Sequence, residues 1–316
     1  MLQPARRALA AACAVAALAP RAGATPPQLL AADAAGAMLL RLDPSTGAHT
    51  VIGPLGANTV ASLAFDSGQG ILYATTTHSP TESNLLRINP ATGASTLVGP
   101  LGATLMHALE YNALDQMLYG VSSGGGASLH RVNPLTGAAT PVAALSLTGL
   151  YGLAFDPGAA TMYAANIQTQ NLYTLNLSSG ALTLVGPFGA PGMPFPQVGV
   201  SMAFDPGLGL FAIDNTGIPG NANLLYRINT ATGQATLVGQ TAVANLLGLA
   251  FVPAPCYPNC DASTQGPVLN VSDFGCFLTR YAAGEAYANC DGSTEPPVLN
   301  VADFGCFLTK YAAGCP

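Results

Sequence analysis

Apolar and polar residues alternate along most of this chain in runs too short for helices. Residues 62–99 show the pattern. Ser-Leu-Ala-Phe (62–65) leads into polar residues from Asp66 to Gly70. Ile-Leu-Tyr-Ala (71–74), a polar stretch, Leu-Leu-Arg-Ile-Asn (85–89), Pro-Ala-Thr-Gly (90–93) and Ser-Thr-Leu-Val-Gly (95–99) follow. Short apolar runs, β-branched or aromatic in part and bounded by Gly, Pro, Asn and Asp, predict four strands. The Asn-Pro-x-Thr-Gly segment predicts a hairpin turn. Asn caps it with its side chain, Pro presets φ, and Gly takes the positive φ that closes it.

That turn recurs five times: RLDPSTGAHTVIG (41–53), RINPATGASTLVG (87–99), RVNPLTGAATPVA (131–143), TLNLSSGALTLVG (174–186) and RINTATGQATLVG (227–239). Its glycines are Gly47, Gly93, Gly137, Gly180 and Gly233, spaced by 46, 44, 43 and 53 residues. A period in the mid-forties made of strands and turns predicts an all-β fold, a β-propeller. Runs like Ser-Leu-Ala-Phe begin at 62, 108, 152, 201 and 248, and runs like Leu-Tyr-Ala at 29, 72, 118, 162 and 210. Each of four strand classes therefore appears five times, which predicts a five-bladed propeller over 25–253. The chain enters in the second strand of a blade and leaves after a first strand. The N-terminal segment is thus expected to complete the blade begun by Gly-Leu-Ala-Phe (248–251), leaving no open sheet edge.

These blades resemble those of the NHL- and YVTN-like bacterial propellers, which read LAFDP, LYAAD and LYRIDPTTG in turn. The resemblance covers about 225 residues and implies the fold. It does not imply a ligand, because propellers carry many unrelated functions.

The pattern changes at Val252-Pro253-Ala254-Pro255, where a smaller domain (254–316) begins. Two near-identical units stand thirty residues apart: NCDASTQGPVLNVSDFGCFLTRYAAG (259–284) and NCDGSTEPPVLNVADFGCFLTKYAAG (289–314). Phe274, Phe277, Leu278 and Tyr281, repeated as Phe304, Phe307, Leu308 and Tyr311, have helical spacing. Every cysteine beyond Cys13 lies here: Cys256, Cys260, Cys276, Cys290, Cys306 and Cys315. An even number in so small a module reads as disulfides, because a domain of this size buries too little surface without them.

The units resemble type I dockerin repeats, EF-hand-like loops each followed by one helix. The resemblance implies calcium ligands at Asp261, Ser263, Gln265, Asn270 and Asp273 in the first unit. In the second it implies Asp291, Ser293, Glu295, Asn300 and Asp303. Hard oxygen donors converging from a short loop suit Ca²⁺. The departures are one extra residue in each loop, Pro296-Pro297 in place of a flexible Gly, and only two anionic candidates, Asp261 and Asp273, in the first unit. Val271-Ser272 and Val301-Ala302 stand where dockerins often carry the Ser-Thr of cohesin contact. A loop of this kind brings its first and last ligands together. On that basis Cys260–Cys276 and Cys290–Cys306 are the expected pairs, with Cys256–Cys315 clasping the ends.

Composition adds the compartment. Arg6 and Arg7, the apolar stretch Ala8–Ala19 and the small residues Ala22-Gly23-Ala24 form a secretory signal peptide over 1–24, cleaved near Ala24. Cys13 gives only the outline of a lipid-attachment box after a short apolar run. Removing 1–24 lowers the basic residues from 9 to 6 against 15 acidic ones, for a net charge of −9. No basic face is left for nucleic acid, and no segment is suited to span a membrane. The mature chain is expected outside the cell or in the periplasm.

Candidate chemistry is sparse. Asp66, Asp156 and Asp205 precede second strands as turn residues. Arg41, Arg87, Arg131 and Arg227 share one blade position and read as a solvated strand face. In the strand expected to line the channel, four blades carry Ala64, Ala154, Ala203 and Ala250, and the remaining blade has Glu110. A carboxylate in place of a packed Ala is costly unless hydrated or paired. Glu110, with His107 three residues earlier, is the candidate binding pair. The longest irregular segments are 75–84, 186–198, with Met193 and Phe195 in a Pro-rich insertion, and 214–223. The expected function is a secreted, non-enzymatic binding or scaffold protein. Its partner, a protein or a cell-surface glycan, is met through the propeller face or the C-terminal module. The rival expectation is an extracellular lyase or glycoside hydrolase tethered through that module.

Overall fold

The computed structural model of the chain describes residues 27–57, 59–79, 82–123, 126–189, 197–215, 222–253, 257–261, 269–293 and 296–314. The leader over 1–24, Met193, Phe195, Cys256 and Cys315 lie outside the described residues. Twenty strands form five four-stranded antiparallel sheets. One sheet is built from both ends of the propeller chain: β1 (Gln28–Asp33), β2 (Met38–Leu42) and β3 (His49–Pro54) continue from β20 (Leu246–Val252). The next holds β4 (Val60–Asp66), β5 (Ile71–Ser79), β6 (Glu82–Ile88) and β7 (Ser95–Pro100). Then come β8 (Met106–Asn112), β9 (Met117–Ser122), β10 (Ser128–Val132) and β11 (Ala139–Ala144). The fourth blade is β12 (Leu150–Asp156), β13 (Thr161–Asn166), β14 (Asn171–Leu175) and β15 (Leu182–Pro187). The fifth is β16 (Gln197–Asp205), β17 (Gly209–Asn215), β18 (Leu224–Ile228) and β19 (Ala235–Gln240).

This is the expected five-bladed propeller, with the expected circular offset. Leu30 of β1 pairs with Ala250 of β20, so the chain ends knit one blade together. The inner strands β4, β8, β12, β16 and β20 meet in a closed ring. Cores form between blades, not within them. One such core joins Ala64, Tyr73 and Leu85 of one blade to Leu109, Tyr111 and Leu118 of the next.

The repeated turn works as its sequence implies. Asn89 Oδ1 accepts from Ala91 N at 2.9 Å, and Gly93 sits at φ +80°. The last glycine of the repeat has a different reason. A Cβ on Gly239 would overlap the carbonyl oxygen of Thr46 in the adjoining blade, and one on Gly53 would overlap that of Thr92. The outer strand of each such blade thus lies directly against the turn of its neighbour, and the Gly239–Thr46 approach closes the circle. One segment departs from its expected irregularity. Residues 75–77 pair with 83–85, and Ser79 pairs with Glu82, so β5 and β6 form a lengthened hairpin.

The C-terminal module carries two helices, α1 (Val271–Ala282) and α2 (Val301–Ala313), joined through a short 3₁₀ turn at Ala286–Ala288. Each follows a capping box: Asn270 with Asp273, and Asn300 with Asp303. No described helix is long and apolar enough to cross a membrane.

Candidate functional site

The inner strands deliver one residue type to one place. Phe65, Tyr111, Phe155, Phe204 and Phe251 are each the next-to-last residue of an inner strand. Together they line a mostly apolar cavity of about 430 Å³ at that end of the ring. Glu110 lines it too, among Ala203 and Ala250 from the same strand position of other blades. Its Oε1 accepts from the Tyr111 N–H at 2.9 Å, its only hydrogen bond among the described residues. Burial against these walls pushes its carboxyl up to about 8, and the Tyr111 N–H opposes that only in part. The Tyr111 hydroxyl is pushed up to about 12, first by burial and then by Asp66. Asp205 stands on the same lining, but its Oδ1 caps the turn N–H groups of Gly207 and Leu208.

His107 is placed elsewhere. It is the second residue of β8 and stacks on Tyr151, the second of β12, with ring centroids 4.1 Å apart. It is not part of the cavity lining. Burial lowers its pKa, which favours the neutral ring. The structure therefore puts Glu110 on the cavity and His107 toward the other end of the strand. Arg87 and Arg131 lie over Tyr73 and Tyr119 of the adjacent strand, at 5.8 and 5.9 Å. That stacking occupies two of the four repeated arginines without any anion.

A polar ring escaped sequence reasoning. Asp33, Thr76, Ser122, Asn166 and Asp214 hold equivalent positions late in the second strand of each blade. Asp33 and Asn166 accept from the N–H groups of the turn just beyond, at Ala35 and Gln168, and Thr76 and Asp214 accept from the N–H groups of Asn84 and Leu224 on the next strand. Ser122 instead meets His130 Nε2 at 2.8 Å. The signal was a polar residue two places after each Leu-Tyr-Ala-like run. In two blades it is turn chemistry, and in the others it ties the second strand to the third.

In the module, the disulfides Cys260–Cys276 and Cys290–Cys306 are present as expected, each with Cα atoms 5.7 Å apart. The Asp261 N–H donates to Asp273 Oδ1, and the Asp291 N–H to Asp303 Oδ1, both at 3.3 Å. Asp273 Oδ2 and Asp303 Oδ2 accept from the Asn270 and Asn300 N–H groups. Each loop thus brings the backbone of its first ligand candidate to the carboxylate of its last, and these last carboxylates are fully buried. Asp291 is held low first by the Ser293 N–H, which donates to its Oδ1 at 2.9 Å, while Ser293 Oγ donates to Val298 O at 3.0 Å. Ser263, Gln265 and Glu295 lie outside the described residues. Among the described residues no three His, Cys, Asp or Glu side chains converge on one point. The Asp303 carboxylate is held by the Asp291 and Asn300 N–H groups.

Sequence reasoning also missed how far the duplication reaches. Tyr257 and Tyr287 precede the two Asn-Cys-Asp segments at the same spacing. Their rings stack at 4.9 Å, and each hydroxyl donates to the other's carbonyl oxygen. Arg280 of the first unit covers Tyr287, and Lys310 of the second covers Tyr257. The contacts therefore repeat when the two units are exchanged.

The ring and its tandem blades define a five-bladed repeat propeller. Residues 30–194, more than half of the chain, match a family described as a repeat of unknown function (DUF6923), and the chain belongs to that family. No curated protein matches it. Among solved structures, a chain of a nidogen/laminin complex is 13% identical with a TM-score of 0.50, covering 72% of this chain and 98% of that one. A periplasmic gluconolactonase of Pseudomonas aeruginosa is 12% identical, with a TM-score of 0.44 over 72% of this chain and 99% of its own. A gluconolactonase of Xanthomonas campestris is 18% identical, with a TM-score of 0.44 over 69% and 73%. The nidogen/laminin likeness is one of fold.

Proposed function

We propose that the chain is a secreted, non-enzymatic binding or scaffold protein. The propeller is its recognition domain, and the C-terminal pair attaches it to a protein or a cell-surface glycan. The observation that carries this is the outward face of the two helices. Val271 and Val301 are 82% and 83% exposed, and Leu278 and Leu308 follow two turns later on the same face. Between them stand Gly275 and Gly305. A Cβ at either would meet nothing within 4 Å. Glycine inside a helix costs about 1 kcal/mol relative to alanine, and no neighbour within the chain requires it here. Close approach of a partner's backbone supplies the reason, twice, at equivalent positions.

The test is retention. In the native host the chain is expected at the cell surface. The double variant Val271→Lys with Val301→Lys should pass into the medium, with melting unchanged. Retention equal to wild type would refute attachment through these helices. Calcium belongs to the same proposal, held by Asp291 and Asp303 in the second loop. Added Ca²⁺ should raise the melting temperature of the oxidised chain, and Asp291→Ala should remove most of that rise. The rival function, glycan cleavage, predicts turnover of oligosaccharides that Glu110→Ala abolishes. One uncapped carboxyl among aromatic walls favours binding over acid–base work, which commonly uses a pair of groups.

A further inference from the structure

The cavity at the ends of the inner strands has a chemistry of its own. Its lining takes one aromatic residue from each blade, Phe65, Tyr111, Phe155, Phe204 and Phe251, with alanines and prolines between them. Its one carboxyl without a turn to cap is Glu110. No Lys, Arg or His is among the described residues of the lining. Two acids and no base exclude an anionic ligand. Aromatic walls and a few prolines offer no shell of hard oxygens for a bare metal ion. An ammonium group carried on carbon suits both features. It is attracted to ring faces, its apolar surface gains from leaving water, and the carboxylate balances its charge. At about 430 Å³ the space is of ligand size.

We propose that this cavity binds an alkylammonium ligand, with the Glu110 carboxylate as counter-charge and the five aromatic side chains as walls. The group is either a free small amine or a lysine side chain presented by a partner. The proposal deepens the reading of the propeller as a recognition domain. It fails separately from it: a chain retained through its helices that ignores ammonium groups keeps that reading and loses this ligand class.

The bound state needs Glu110 ionised, and in the empty cavity its carboxyl stands at about 8. The other ionisable groups on the lining are Tyr111, pushed up to about 12, and Asp205 at the rim, with Asp66 beside Tyr111. Ammonium binding should therefore displace a proton and strengthen as pH rises through 8. Between pH 9 and pH 6 the affinity for a permanently charged ligand should fall about a hundredfold.

Choline is the probe, because its charge does not titrate. Its neutral carbon isostere, 3,3-dimethylbutan-1-ol, is the control. By isothermal titration calorimetry of the full chain, choline should bind at pH 9 with little proton release, weaken toward pH 6, and release close to one proton per ligand below pH 8. The alcohol should bind at least tenfold more weakly at pH 9. Glu110→Ala should lose most of the choline affinity and all of its pH dependence, and Glu110→Gln should do the same. Four blades already carry Ala at this position, so the Ala variant should fold. A lysine-bearing peptide binding where choline does not would assign the site to a partner's side chain. Equal affinity for the alcohol, affinity independent of pH, or binding unaffected in both variants would overturn the proposal. So would the absence of binding by choline and peptide alike.

Discussion

Between its blades the propeller buries Leu, Tyr and Phe in five separate cores, and its last strand pairs with its first. Between its two units the C-terminal module buries one core around Phe277 and Phe307, whose rings stack at 4.2 Å, and adds a disulfide to each unit. Both are tandem repeats, and neither repeat buries enough alone. Five copies can close a ring, so every apolar face finds a neighbour, and the outer strands leave only short sheet edges. Two copies can only face each other, which leaves the outer sides of α1 and α2 open to solvent and the interior small. Covalent links then supply what area does not. The inside of the ring and the outside of the pair are the places left for ligands.

The largest test of this contrast is to open the ring. Deleting residues 25–53 removes β1, β2 and nearly all of β3, the three strands that complete the blade begun by β20. The expected result is loss of the cooperative propeller melt, with aggregation on size exclusion. A monomer with unchanged melting would mean that closure contributes nothing.

Reduction should do the opposite and spare the ring. Each disulfide joins residues 16 apart in sequence, and closing such a loop contributes roughly 3 kcal/mol in the chain-entropy model. In calorimetry of the full chain, a thiol reductant should abolish the module's transition and leave the propeller's in place. A propeller transition that falls together with the module's would show that the two are stabilised as one.

Much of this was legible in the chain, and the reasons differ by region. The ring followed from counting, because each turn glycine fixes a hairpin and the offset of Leu29–Ala31 against Gly248–Phe251 fixes the closure. The cysteine pairs followed once Cys260 and Cys276 were placed on a loop that returns on itself. The ligand cavity was harder. Its aromatic residues sit in the repeated inner-strand runs, yet their convergence depends on five strands meeting. His107 and Glu110 are close in sequence, but residues three apart in a strand point to opposite sides and lie about 10 Å apart along it. Sequence proximity therefore says little about a shared site. The reciprocal Tyr257 and Tyr287 contact had a visible signal, the second Tyr-x-Asn-Cys-Asp, whose meaning needed the facing of the two units.

Acid–base behaviour should separate the regions next. Glu110 binds its proton more tightly in the folded state, at about 8 against an ordinary 4.5. The folded chain therefore holds more protons than the unfolded one between these values, and stability falls as pH rises from 4.5 to 8. The ceiling on that loss is about 5 kcal/mol, and water in the cavity should hold it nearer 2. The propeller melt should drop between pH 5 and pH 8.5 in the wild type, and much less in Glu110→Ala. At pH 8 that variant should be the more stable protein. A variant less stable at every pH would place Glu110 in a structural network instead.

Two glycine-to-alanine changes give the smallest effects, with opposite signs. At Gly239 the added methyl meets the Thr46 carbonyl of the adjoining blade. The backbone must shift there, at a cost of about 1–3 kcal/mol, so the propeller's melting should fall. At Gly275 the methyl meets nothing. Replacing an interior helical glycine removes its entropic penalty, about 0.5–1 kcal/mol, so the module's melting should rise by a few degrees. The informative measurement pairs that rise with attachment. If the helix face serves a close-packed partner, Gly275→Ala with Gly305→Ala should stabilise the free module while weakening retention at the cell surface. Gain of stability with full retention would mean that the partner does not approach the helix at these glycines. Loss of stability would mean that the module itself uses the space they leave.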